Sequence, residues 1–296
     1  MLTPGVETTG TALQAACSKG HYQIVQILLE HGANINAQGV FFGDIFSKRY
    51  VNALQAACAQ GRDQIVQMLL KWEADINAWG GDYGTALQAA CSKGHYQIVQ
   101  ILLEHGADVN ARGGYFGTAL QCACSEGHNR IVKRLLKSGA DVNAQGAIPC
   151  DIVGKSFRSA LQAACSKGHN QIVQMLLECG ANVNAQGGYY GTALQAACSK
   201  GHNQIVQVLL EYGADINAQG GDYGTALQAA CSRGYDQIVE TLLWYGADVN
   251  AQGLFFSDPF GKQYRNALQA AYSQGHDQIV QKLLEKGAYA TCQDGD

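Results

Sequence analysis

The sequence predicts an all-α solenoid of eight helix-turn-helix units with three extended inter-repeat loops. Three observations carry that expectation. The tetrapeptide Thr/Asn/Ser-Ala-Leu-Gln begins at Thr11, Asn52, Thr85, Thr118, Ser159, Thr192, Thr225 and Asn266, at intervals of 41, 33, 33, 41, 33, 33 and 41 residues. A fixed period of this size marks a repeat architecture. Each unit also holds two short helical patterns, and the first is built almost wholly of small residues. Helices so short do not stand alone in water, and small side chains need close neighbours on both sides, which only stacking supplies.

The first unit shows the plan. In TALQAACSKG, Thr11 suits an N-cap and Gly20 stops the helix. In HYQIVQILLEHGA, Ile24, Val25, Leu28 and Leu29 recur at helical spacing, and Gly32 ends the run. The Ala-Asp/Asn-Ile/Val-Asn-Ala segment that follows, with its glycines, suits a turn. Residues 11–33 and 85–107 are identical, TALQAACSKGHYQIVQILLEHGA. The solenoid is assigned to residues 10–288, between a leader over 1–9 and a tail over 289–296. Lys282 stands where other units carry Ile27, Met68, Ile101, Met175 or Val208. It reads as a polar outer face for the last unit. The first unit has the sequence of an internal one, so the chain is expected to belong to a larger protein.

Composition narrows the class. With 296 residues, a net charge of −4 and an apolar fraction of 47%, the chain is globular. No apolar run is long enough for a membrane span, and MLTPGVETTG lacks the regions of a signal peptide. No membrane partner is expected. Seven of the eleven cysteines (Cys17, Cys58, Cys91, Cys124, Cys165, Cys198, Cys231) fall at one equivalent position per repeat. Stacked helices would hold them about 8–10 Å apart, beyond disulfide reach. They read as small core residues in a reducing, cytoplasmic compartment.

A Thr-initiated short helix, then Gly-His, Ile-Val, Leu-Leu and Gly-Ala-Asp-Val-Asn-Ala, makes the chain resemble ankyrin repeats from Gly10 to Ala288. Thr-Ala-Leu-Gln replaces the family's usual Thr-Pro-Leu-His, so Gln14, Gln55, Gln88, Gln121, Gln162, Gln195, Gln228 and Gln269 are expected to bond loop backbone through their amides. Tyr83, Phe116, Tyr190 and Tyr223 stand where the family's turn has glycine, and are expected to wedge between adjacent turns. The TALQAAC-rich style is similar to the C-terminal arrays of fungal NLR-type (NACHT-ankyrin) proteins. The resemblance implies a non-catalytic interaction or ligand-sensing scaffold.

No catalytic residue, cofactor or metal site is predicted. His21, His95, His128, His169, His202 and His276 open second helices, where the resemblance implies a structural bond between repeats. No phosphate loop occurs, and Cys122 and Cys124 diverge on a helix.

Function is therefore sought where units differ. The resemblance implies binding through turn tips and first-helix ends. The latter project Lys19, Gln60, Lys93, Glu126, Lys167, Lys200, Arg233 and Gln274, a row with five cations suited to an acidic protein or peptide partner. The alternative is nucleic-acid or other polyanion binding through the same row on the concave face. At the turn tips, Trp79, Asp82, Arg112, Tyr115, Tyr189 and Asp222 are candidate contacts, since Trp, Tyr and Arg dominate interface energetics. In HNRIVKRLLKSGA, Arg130, Lys133, Arg134 and Lys137 share a face, either solvated or a docking patch.

The long loops VFFGDIFSKRYV, AIPCDIVGKSFR and LFFSDPFGKQYR, at 40–51, 147–158 and 254–265, share one pattern. An Asp, a Lys and an aromatic form a predicted clasp: Asp44, Lys48 and Tyr50; Asp151, Lys155 and Phe157; Asp258, Lys262 and Tyr264. Two roles are open for the loops. They brace neighbouring turns, or they are arms whose Phe41, Phe42, Phe255 and Phe256 grip a multivalent partner.

Overall fold

The computed structural model describes residues 12–39, 41–42, 49–114, 117–146, 148–149, 156–253, 255–256 and 263–289. At 41–42, 49, 148–149, 156, 255–256 and 263–264 it describes the backbone alone. The chain forms two compact units, residues 1–150 and 151–296. Each contains four helix pairs.

In the first unit the pairs are α1 (Ala12–Lys19) with α2 (Tyr22–Glu30), α3 (Ala53–Ala59) with α4 (Asp63–Lys71), α5 (Ala86–Lys93) with α6 (Tyr96–Glu104), and α7 (Ala119–Glu126) with α8 (Asn129–Lys137). In the second they are α9 (Ala160–Lys167) with α10 (Asn170–Glu178), α11 (Ala193–Lys200) with α12 (Asn203–Glu211), α13 (Ala226–Arg233) with α14 (Asp236–Trp244), and α15 (Ala267–Ser273) with α16 (Asp277–Glu285). Within each unit the first helices pack on one another in sequence, and so do the second helices. The first-helix layer is tight because Ala56, Ala57, Cys58, Ala89, Ala90 and Cys91, with their equivalents at 122–124, 163–165, 196–198 and 229–231, place only methyl and thiol groups between backbones, and all of these are buried. The thiols are free, and burial pushes Cys17 up to about 12. Burial likewise raises Cys58, Cys91, Cys165, Cys198 and Cys231.

The long loops carry the only strands among the described residues. Phe41–Phe42 pairs antiparallel with Arg49–Tyr50, and Phe255–Phe256 with Gln263–Tyr264. Ile148–Pro149 and Ser156–Phe157 are the short strands of the middle loop.

The first helices from α3 onward start as their sequence predicts, and Thr11, the cap expected for α1, lies outside the described residues. Thr85 and Gln88 form a reciprocal capping box, repeated at Thr118, Thr192 and Thr225. Where a long loop enters, Asn52, Ser159 and Asn266 cap instead. There the glutamine accepts from the residue before the cap: Val51 N–H to Gln55, Arg158 N–H to Gln162, Arg265 N–H to Gln269.

The same glutamines join the repeats, as the Thr-Ala-Leu-Gln motif suggests. Gln14 Nε2 donates to the Val51 carbonyl at 2.7 Å, and Gln55 Nε2 to that of Gly84 at 2.9 Å. In the second unit Gln162 reaches Gly191 at 2.9 Å and Gln195 reaches Gly224 at 2.6 Å. The turns are laced further by asparagines: Asn36, Asn77 and Asn110 accept from the N–H groups of Asp75, Asp108 and Asp141 at 2.8–2.9 Å. Asn184 and Asn217 do the same for Asp215 and Asp248. The second-helix histidines also bridge repeats, with His95 Nε2 donating to Ala59 O and His202 Nε2 to Ser166 O, both at 3.2 Å.

One expectation is corrected. Lys282 does not furnish an outer face for the last repeat. Its Nζ binds Glu240 Oε1 and lies 3.9 Å from Asp236 Oδ1, both on the preceding α14. That helical position looks back toward the preceding repeat, as Arg134 does 3.9 Å from Glu104. The lysine therefore satisfies an interface and caps nothing.

Candidate partner-binding surface

In seven of the eight repeats the residue two places before the first-helix cap is aromatic, and five of these rings are described, at Tyr50, Tyr83, Phe157, Tyr190 and Tyr223. In the first unit Tyr50 lies on Tyr83 at 5.5 Å, with 7° between planes. In the second, Phe157 lies on Tyr190 at 5.3 Å and Tyr190 on Tyr223 at 5.8 Å. All five are buried. Each stacked pair contributes about 0.5–1.5 kcal/mol beyond its buried area. The rings are therefore the wedges that the turn aromatics were expected to be, and they include Tyr50 and Phe157 of the loop pattern. Tyr189 adds an edge-on ring to Tyr190 and Tyr223, at 5.0 and 5.5 Å.

The phenol oxygens of the row meet the ends of the first helices. Gln60 Nε2 donates to Tyr50 Oη at 2.8 Å, and Arg233 Nη2 donates to Tyr223 Oη at 3.4 Å. Burial pushes the Tyr223 phenol up. The hydrogen bonds of Arg233 and Tyr189, with the charges of Arg233 and Lys200, outweigh it and hold Tyr223 below the ordinary tyrosine value. Tyr189 moves the other way, raised by burial first and then by Tyr223 and Asp222.

Around this ladder the second unit carries three consecutive exposed cations, Lys167, Lys200 and Arg233, at the C-terminal ends of α9, α11 and α13. A cation there also complements the helix dipole. In the first unit the matching exposed residues are Lys19, Gln60, Lys93 and Glu126, so its cations are not consecutive. An open groove at the turn side of the second unit is lined by glycine backbone at Gly220, Gly221, Gly224 and Gly253, with Arg265 as its cation.

Against known proteins, the family described as Ankyrin repeats (3 copies) matches residues 2–79, 79–146, 147–220 and 219–294, nearly the whole chain. The chain belongs to the ankyrin-repeat family. Among solved structures it is similar to the crystal structure of the human ASB11 ankyrin repeat domain, at 28% identity, a TM-score of 0.63, and coverage of 80% of this chain and 99% of that one. A comparison with curated proteins finds no match. Ankyrin repeats generally mediate protein–protein interaction and form a non-catalytic fold. Among the described residues no group of His, Cys, Asp and Glu is arranged to hold a metal ion. Within the same residues no helix is long and apolar enough to cross a membrane.

The remaining predicted contacts fall in different places on this ankyrin scaffold. Trp79 is 60% exposed, with part of its indole packed on the next turn. A Cβ on Gly113 would lie 1.9 Å from its Nε1. Arg112 is exposed, whereas Asp82, Tyr189 and Asp222 are half-buried beside the aromatic row. Of the basic face on α8, Arg130 lies 4.3 Å over the Tyr96 ring and Arg134 faces Glu104, so two of its four cations serve the repeat interface. Tyr115, Phe116, Asp44, Lys48, Asp151, Lys155, Asp258 and Lys262 lie outside the described residues. So do the side chains of Phe41, Phe42, Phe255, Phe256 and Tyr264.

Sequence reasoning missed Trp244. It is 79% exposed, edge-on to Tyr245 at 4.7 Å. The equivalent positions hold Glu30, Lys71, Glu104, Lys137, Glu178, Glu211 and Glu285, so a column of charges broken once was the available signal. It also missed Glu73, whose φ of 61° is left-handed where other repeats carry glycine, as at Gly32 and Gly106.

Proposed function

We propose that this ankyrin array binds a protein segment bearing carboxylates, and that the second unit's first-helix ends and turns receive it. One observation carries this reading: Lys167, Lys200 and Arg233 stand exposed on three consecutive helix ends beside the Phe157–Tyr190–Tyr223 stack. Buried parallel rings fix the spacing of the turns, so the charges are displayed from a rigid edge. A pre-organised row of cations favours an extended chain of acids, because little ordering entropy is lost on the protein side. Tyr189, Arg265 and Asp222 supply the adjoining aromatic, cationic and hydrogen-bonding groups.

Discrete acids suit the surface better than a polyanion backbone. In the first unit Gln60 and Glu126 interrupt the row, and a nucleic-acid stripe needs continuous charge. The buried free thiols support placement in a reducing compartment. Sensing within a larger NLR-type protein is the finer form of this reading, supported by the Thr-Ala-Leu-Gln style of the repeats.

A fluorescein-labelled peptide of alternating glutamate and serine tests the assignment by anisotropy. Lys200→Glu, at the centre of the row, should weaken binding about two- to fivefold or more, the range of one exposed ion pair and its reversal. Lys19→Glu should leave it unchanged. Equal losses from the two substitutions would remove the second unit as the site.

A further inference from the structure

The helices α2 and α6 are one sequence, YQIVQILLE, in two settings. On α6 the following helix, α8, supplies two cations. Arg130 lies 4.3 Å over the Tyr96 ring, and Arg134 Nη2 lies 3.9 Å from Glu104 Oε1. On α2 the following helix, α4, brings Gln64 and Met68 to those two positions. The ridge that holds a pair of arginines in one place thus presents the same ring and the same carboxylate in the other, with no cation at either position of the facing helix.

Between α2 and α4 lies a groove of about 680 Å³. Tyr22, 42% exposed, forms one end beside Gln64, and the buried Met68 forms part of the floor. Glu30 stands at the other end of α2. It is exposed and accepts from Gln26 Nε2 at 2.8 Å, which leaves its carboxylate with acceptor capacity to spare. Trp72, 45% exposed, closes α4 where α8 has Ser138, and an indole is the best aromatic face for a cation. Lys71 lines the groove as well, but its counterpart on α8 is Lys137, so this charge does not separate the two settings. Directly after Trp72, Glu73 adds a carboxylate in left-handed backbone (φ 61°) where every other repeat has glycine. Strain of this kind concentrates where a side chain is used.

We infer that this groove is a docking site for a basic segment of a partner protein, one arginine lying over the Tyr22 ring and a second between Glu30 and Trp72. The spacing suits an extended chain. Eight residues of helix separate Tyr22 from Glu30, about 12 Å. Two arginines four residues apart in an extended segment are about 13 Å apart. The inference is independent of the acidic-partner assignment, which concerns first-helix ends of the second unit and the opposite charge.

The test is the anisotropy of a fluorescein-labelled glycine–serine peptide with two arginines four residues apart, titrated with the full chain. Tyr22→Leu and Trp72→Leu keep the charge and most of the apolar bulk, and each should weaken binding about three- to tenfold. Tyr212→Leu, at an equally exposed tyrosine of the second unit, should leave it unchanged. Gln64→Arg with Met68→Arg copies the arginines of α8 onto α4, and should abolish binding by filling the groove from within. A peptide with citrulline in place of arginine should not bind. Native affinity in Tyr22→Leu and Trp72→Leu proteins of unchanged circular dichroism, equal binding of the citrulline peptide, or no binding by the native chain would overturn the inference. Light scattering gives a second arm: a dimer split by Trp72→Leu would make a second copy the occupant and also overturn it. A monomer at all concentrations agrees with the inference.

Discussion

Replacing Gln195 tests how the repeats are joined. Its side chain is 1% exposed. Oε1 accepts the Thr192 N–H at 2.6 Å, while Nε2 lies 3.3, 3.1 and 2.6 Å from the carbonyls of Ala218, Gly220 and Gly224. An amide has two hydrogens, so two of the three carbonyls are well bonded at once. The Gly224 carbonyl keeps another donor, the Gly220 N–H at 3.0 Å. The Thr192 N–H keeps the Tyr190 carbonyl at 3.1 Å, so Gln195→Leu strands chiefly one carbonyl, which predicts a loss of about 1–3 kcal/mol. Gln195→Glu sets a buried carboxylate against carbonyl oxygens and should cost more at neutral pH. That carboxyl's pKa would rise on folding, so its penalty is absent below the unfolded value, near 4.3, and grows as pH rises. The Glu variant should recover stability between pH 7 and pH 5 relative to the native protein, and the Leu variant should not. Urea unfolding followed by circular dichroism reads both, with exchange in α11 and α13 locating the loss. A cost below about 1 kcal/mol for Gln195→Leu would refute the joint.

Three further outcomes follow. Glu73→Gly should raise stability by about 0.5–1 kcal/mol by relieving a left-handed residue, and an unchanged urea midpoint would count against that strain. Raised thiol pKa values make the fold sensitive to alkali: unfolded thiols ionise near 9.0 whereas Cys17 holds its proton to about 12. Stability from this source is complete below pH 9 and falls as pH rises, by about 1.4 kcal/mol per pH unit for each such thiol, which a urea midpoint compared at pH 7.5 and pH 10 will show. Native alkylation should modify exposed Cys179 and spare the eight described buried cysteines, as peptide mapping can establish.

The scaffold was legible because one period repeats its instructions. Thr85 followed by Gln88, Gly94 after α5 and the Ile98–Val99–Leu102 core each recur in equivalent form, so a local rule applied once applies throughout. The glutamine joint was also legible, because Gln stands where a bonding histidine was expected. Lys282 was misplaced for a physical reason: helical spacing tells which residues share a face, but not whether that face looks to the repeat before or after. The asparagine lacing escaped notice because a residue repeated from turn to turn looks like turn chemistry until its partner, thirty-odd residues onward, is seen. At the candidate site, sequence named Lys167, Lys200 and Arg233 as members of one long row. The turn aromatics were legible as wedges too, from Tyr83, Tyr190 and Tyr223 at one equivalent position, but their face-to-face stacking beside the first-helix ends is geometry between repeats that the sequence of neither one carries.

The claim that the second unit's cations receive an acidic segment is tested most directly by titrating the glutamate–serine peptide into the full chain and into the Lys167→Glu, Lys200→Glu, Arg233→Glu triple variant, at low and at physiological salt. The account predicts binding by the native protein that weakens as salt rises, and loss of binding by a triple variant with unchanged circular dichroism. Equal affinity for the two proteins, or affinity indifferent to salt, would contradict it.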